Sequence, residues 1–125
     1  MFEVVEQWLG EAPEVRGVVP VMRDVPVIHG GRIIVVAVEL WKASLVVRWA
    51  QSPPPRREAP NWSWDVTDDV GTEYRLHAGN SGGTDRFWQA LSEFRPGPPP
   101  GARRLWLWSP VSHPAAAVDV DLPAG

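Results

Sequence analysis

Tryptophan is the side chain with most to offer in this chain. There are eight among 125 residues, and two pairs, Trp62 with Trp64 and Trp106 with Trp108, are spaced so that each pair shares one face of an extended strand. A pair turned inward is core. Burial is then worth roughly 1.5–3 kcal/mol or more per large side chain, and ring contact adds about 0.5–1.5 kcal/mol per pair. A pair turned outward is an aromatic platform that stacks on a sugar, a peptide or a partner protein, because a contiguous exposed patch needs a reason that a single exposed ring does not. Trp62, Trp64, Trp106 and Trp108 are therefore the candidate binding residues.

The other reactive groups assemble less well. Asp65, Asp68, Asp69 and Glu73 crowd one stretch, and calcium takes carboxylate oxygens, but the spacing is not that of the Asp-x-Asp-x-Asp-Gly loop. Bonding of Asp68 and Asp69 to their own turn explains them without a metal. His29, His77 and His113 stand apart, never in the paired spacing of a zinc site. Gly79-Asn80-Ser81-Gly82-Gly83 spells the Gly-x-Ser-x-Gly nucleophile elbow, with Asp85 and His113 following in order. An elbow, however, needs a parallel strand before it and a helix after it, and the flanking pattern here is an antiparallel hairpin. The same loop lacks the Gly-Lys-Ser/Thr ending of a phosphate cradle. Pro96-x-x-Pro99 is read as loop stiffening rather than a polyproline ligand. No catalytic residue, metal or cofactor is assigned, and the chain is expected not to be an enzyme.

The elements that must position these residues are short. Trp64 and Val66 alternate with polar neighbours, Tyr74 and Leu76 do the same, and a carboxylate-rich turn ending in Gly71 lies between; this predicts a hairpin. Val15 to Val21 and Val25 to Ile28 contain Pro20 and Pro26, which suits edge strands. His29-Gly30-Gly31-Arg32 reads as a two-residue hairpin turn. The β-branched run from Ile33 to Leu40 predicts a central strand covered on both faces, and Lys42-Ala43-Ser44 closes a hairpin onto Leu45 to Trp49. Gln51 to Asn61 is loop, and His77 to Gly83 is too glycine-rich for regular structure. Phe87 to Phe94 fits a helix or a strand, with the strand preferred. Pro96 to Gly101 is a rigid crossing, Arg103 to Trp108 a strand, and Ala116 to Leu122 a closing strand of alternating apolar and acidic residues. Phe2 to Leu9 spaces its apolar residues as one short helix ending at Gly10.

Composition narrows the class. A formal charge of -3 gives no field that would draw the chain to nucleic acid or to a membrane. Without cysteine there is no disulfide and no thiolate site. The first residues show no signal-peptide pattern and the longest apolar run is far too short to span a bilayer, so a cytoplasmic protein is expected. Fourteen prolines and abundant tryptophan favour pleated structure over helices. Seven or eight short strands at roughly ten-residue spacing, with no long crossover, predict one antiparallel β-sandwich over residues 15–122, preceded by a segment at 1–14.

A resemblance points the same way. Trp64-x-x-x-Asp68-Asp69-x-Gly71-Thr72-x-Tyr74, the pair Gly82-Gly83, Phe94-x-Pro96 and Gly101-Ala102-x-x-Leu105-x-Leu107 together resemble immunoglobulin-like β-sandwich domains of bacterial proteins of unknown function, over about residues 32 to 122. The likeness implies a fold and brings no catalytic residues with it. The expected function is a non-catalytic interaction module that binds a protein partner or a second copy of itself through a strand edge or a tryptophan-bearing face. The alternative is a carbohydrate or small-ligand binding domain that uses the paired tryptophans.

Overall fold

The computed structural model of the chain describes residues 14–26, 31–54, 63–84, 86, 88–109 and 118–123. Eight strands run in the order β1 (Val15–Pro26), β2 (Arg32–Trp41), β3 (Leu45–Ser52), β4 (Asp65–Asp68), β5 (Arg75–Gly83), β6 (Trp88–Arg95), β7 (Arg104–Trp108) and β8 (Val118–Asp121). They form two antiparallel sheets, one of five strands in the order β1-β2-β3-β6-β5 and one of three in the order β4-β7-β8. Among the described residues there is no helix, and none long and apolar enough to cross a membrane. The segment Phe2 to Leu9, with its expected helix, lies outside the described residues.

One hydrophobic core joins the sheets. Ile33, Val35, Val38 and Leu40 of β2, Leu45, Val47 and Trp49 of β3, and Ala90 and Phe94 of β6 meet Trp64, Val66, Leu105, Leu107, Val118 and Val120 from the smaller sheet. Each strand supplies alternate residues, as a pleated strand with one face inward must. The expected alternation in the closing strand is observed: Val118 and Val120 are buried, Asp119 and Asp121 exposed. The β2–β3 hairpin also forms as its sequence suggests, with Leu40 opposite Leu45 and Trp41 N–H bonded to the Ser44 carbonyl at 2.9 Å. Gly97, in the proline-rich crossing from β6 to β7, lies under that turn. A Cβ there would stand 2.6 Å from the Trp41 carbonyl oxygen, so only glycine fits.

Several expectations are corrected. Trp64–Val66 and Tyr74–Leu76 do not pair as a hairpin: β4 pairs with β7, Val66 opposite Leu107, whereas β5 pairs with β6 in the other sheet. The turn between them is a corner where the chain changes sheets, and two alternating runs around a glycine look the same for either arrangement. His77 to Gly83 is strand, because β6 offers it a ladder and small side chains lose nothing on an exposed edge. Ile33 to Leu40 is interior but not central. β3 holds the middle of the sheet, and the outward face of β2 is only half-buried at Ile34 and Val36. Val15 to Pro26 is one bulged edge strand rather than two, and Pro26 opposite Arg32 leaves five positions for the connection instead of a two-residue turn. Of that turn, Gly31 has a φ of 89°, and His29 and Gly30 lie outside the described residues. The strand expected at Phe87 to Phe94 is present as β6.

Candidate functional site

The four tryptophans separate. Trp64 is 4% exposed and meets Trp49 edge to face, ring centres 5.8 Å apart, so it is core and not a binding surface. Trp62 lies outside the described residues. Trp106 and Trp108 are half-buried on the outward face of β7, alternating with the fully buried Leu105 and Leu107. Register sets their surroundings. Thr67 and Asp119 flank Trp106, and Asp65 lies opposite Trp108, all on the same outward face. Arg23 of β1 reaches over to Asp119 at 2.7 Å, and this contact with the guanidinium holds the Asp119 carboxyl below the usual carboxylate range.

The carboxylate-rich corner is structural. Asp68, though buried, accepts hydrogen bonds from the Val70 and Thr72 amides, both at 3.0 Å, and from the Tyr74 hydroxyl at 2.8 Å. Burial works to raise its pKa, but the bonds from Thr72, Tyr74 and Val70 outweigh it, and the net shift is downward. Burial and the neighbouring Asp68 charge together raise the Tyr74 hydroxyl well above its usual range. Asp69 accepts from the Arg103 amide at 2.9 Å and donates its own N–H to the Arg104 carbonyl at 3.2 Å, which ties the corner to the start of β7. Among the described residues no group of three or more metal-ligating side chains comes together. His113 lies outside the described residues and His77 is exposed on β5. Ser81 sits in mid-strand opposite Ala90 in an antiparallel pair, which is not the setting of a nucleophile elbow.

The feature that sequence reasoning missed is β5 itself. All nine of its residues are exposed, on both faces of the sheet. It is the edge strand of the five-stranded sheet, and it contributes nothing to the shared core. Two hollows flank it. On the core-facing side, Trp49, Trp88, Ala90 and Ser92 form a groove of about 550 Å³ against Gly79 and Ser81. On the outward side, Arg48, Gln89 and Leu91 form one of about 500 Å³ against Asn80 and Gly82. One side of β5 thus offers an aromatic lining and the other a mixed one, where Val36, Ala50 and Leu91 stand beside Arg48 and Gln89, and among the described residues no strand covers the outer edge between them. The signal was present in the sequence: from His77 to Gly83 there is no proline, lysine, arginine or acid, the devices that normally blunt an edge.

A scan against protein-family models, a search of curated proteins and a search of solved structures each return no match.

Proposed function

We propose that the chain is a non-catalytic interaction module whose β5 edge accepts an extended segment of a protein partner. The observation that carries this is the exposure of β5 along its whole length beside an aromatic-lined groove. Strand addition draws affinity from main-chain hydrogen bonds and specificity from pockets for alternate side chains, and β5 has both. An added strand would lie against the small side chains of β5, which leave room on both faces for large residues, with β6 and its Trp88 one strand further in.

An immunoglobulin-like sandwich supports this reading. Counted from β2, the strands follow the constant-type order, with β2, β3, β6 and β5 in one sheet, β4, β7 and β8 in the other, and β1 added beyond β2. Trp64, just before β4, is buried against the core as the third-strand tryptophan of such domains is. The cysteine pair of antibody domains has no counterpart here.

The test is selection of displayed random peptides on the wild-type chain, with Asn80→Pro and Ser81→Pro as counter-targets. Neighbouring amides on a strand point to opposite sides, so one of these variants removes an outward donor. Enrichment of strand-forming peptides that fail to bind that variant is expected. No enrichment by a chain that is monomeric at the selection concentration, or peptides indifferent to both prolines, overturns the reading.

A second reading, a carbohydrate platform, is favoured by one observation: Trp106 and Trp108 stand together on an outward face with Asp65, Thr67 and Asp119 beside them. A glycan array would show binding that is lost in Trp106→Ala and Trp108→Ala; an array blank for the wild type removes it.

A further inference from the structure

We infer that the segment which β5 accepts is β5 of a second copy of this chain, paired antiparallel about a twofold axis through Asn80. This rests on the strand-acceptor reading above and names its partner.

The regular part of β5 sets the register. Its ladder with β6 runs without interruption from Ala78 opposite Glu93 to Gly83 opposite Trp88, and the bulge between Leu76 and Ala78 ends it on the other side. A twofold axis perpendicular to a sheet places one residue opposite its own copy, so every group in a self-paired edge must tolerate itself or its mirror position. Centred on Asn80, the pairs are Gly79 with Ser81 and Ala78 with Gly82 of the second copy. None is charged, none is proline and none is bulky. Asn80 faces Asn80, and each amide can donate to the other's carbonyl oxygen. The charged Glu73 and Arg75 both precede the paired stretch, and the twofold axis sets those of the two copies at opposite ends, so no like charges meet.

The other described edges refuse such a contact. β1 carries Pro20 and Pro26 and is broken by two register shifts. β4 is four residues long with Asp65 and Asp68, and β8 is four residues long with Asp119 and Asp121. An edge that is short, acidic or proline-bearing pairs poorly, which leaves the regular part of β5, Ala78 to Gly83, as the stretch without charge, proline or bulge. Because the axis is perpendicular to the sheet, both core-side grooves open on the same face of the resulting ten-stranded sheet, with the Trp49 and Trp88 pairs of the two copies lining one trough.

The absence of cysteine makes the test clean. Opposed Cα atoms in an antiparallel pair are about 4.5–5.5 Å apart, within the roughly 4.4–6.8 Å that a disulfide spans. Asn80→Cys should therefore cross-link to its own copy under mild oxidation. It should do so about tenfold or more faster than Val70→Cys, an exposed control, because pairing raises the local thiol concentration towards roughly the millimolar range. Light scattering from micromolar to millimolar chain should show the wild type reaching twice the mass of one chain. Whichever of Asn80→Pro and Ser81→Pro keeps the wild-type far-ultraviolet spectrum and removes the outward donor should stay monomeric. If neither proline variant folds, the cysteine comparison decides alone. A wild type that is monomeric at millimolar concentration, a dimer that survives in both folded proline variants, or Asn80→Cys cross-linking no faster than Val70→Cys overturns the self-pairing. The peptide selection reads the parent proposal separately: a monomer that still enriches strand peptides sinks only the second copy, and a monomer that enriches none sinks both.

Discussion

The two edges of the five-stranded sheet are built to opposite rules. β1 is anchored: Val25 is 2% exposed in the shared core, and Arg23 is tied to Asp119 of the neighbouring sheet. It is also guarded, by prolines and by a bulge where Met22 takes a φ of 50°. β5 is neither. It carries Leu76 at 62% exposure, and among the described residues its one strand partner is β6. Guarding one edge shows that this sequence disarms strands against unwanted pairing. The run from Ala78 to Gly83, past the bulge that follows Leu76, has none of those devices in the same molecule and is then a surface kept open for a partner. If that comparison is right, losses of packing should fall on the anchored side and on the boundary where cover ends, and changes along β5 should alter association and leave stability nearly untouched.

The largest expected effect is at that boundary. Trp64 supports Trp49, whose ring lines the core-side groove next to β5. Trp64→Ala should lower unfolding free energy by about 3–5 kcal/mol, read from chemical denaturation, because it opens a void between the sheets. A loss under about 1 kcal/mol would mean that the cover over Trp49 is supplied elsewhere. Next come the edges themselves. Val25→Ala removes two buried methyl groups from β1 and should cost about 1.5–3 kcal/mol. Leu76→Ala on β5 should stay within about 0.5 kcal/mol of wild type. Equal losses at the two positions would erase the distinction between the anchored edge and the exposed one.

How far the sequence reveals this depends on range. Strands whose evidence is their own alternation are legible: Val118 to Asp121, Arg104 to Trp108, and the β2–β3 hairpin with its three-residue connector. What was misread turns on a remote partner. Trp64–Val66 and Tyr74–Leu76 flank a glycine turn as hairpin strands do, and nothing local says that Val66 belongs opposite Leu107. The stretch from His77 to Gly83 has the composition of a loop, and it is a strand because β6, not its own propensity, fixes it. The tryptophan pairs show the same limit. Spacing says that Trp106 and Trp108 share a face, and only the position of the other sheet says that this face is outward, as it says that Trp64 is inward.

A smaller effect, at the corner leading into β5, separates a buried carboxylate from an exposed one. Asp68→Asn replaces an acceptor-only group by one with donors facing the Tyr74 hydroxyl and the Val70 and Thr72 amides, and should cost about 1–3 kcal/mol. The pH dependence follows from the downward shift of Asp68. In the native state it holds fewer protons than in the unfolded chain, so its contribution is complete above the ordinary carboxylate value of about 3.9. That contribution is lost as the pH falls through the lower native value. Asp119 is shifted the same way by Arg23, at the surface, where salt screens it. Denaturation midpoints across acid pH should show a salt-insensitive limb that Asp68→Asn abolishes, and a salt-sensitive remainder that Arg23→Ala reduces. An acid limb unchanged in Asp68→Asn would remove the corner from the account.

The smallest change in stability should come from disarming β1. Pro20→Val, at an exposed position opposite Ala37, restores an amide N–H and a β-branched side chain and should shift stability by no more than about 0.5 kcal/mol. Its effect belongs to association. Measured in a background where β5 is closed by the tolerated proline variant, the restored edge should raise the weight-average mass with concentration, which the closed background alone should not. Should the mass stay at that of one chain, proline is not the guard at that edge. The protection then lies in the backbone break between Pro20 and Arg23 and in the hold of Arg23 on Asp119, and lifting it would take removal of the bulge rather than of the proline.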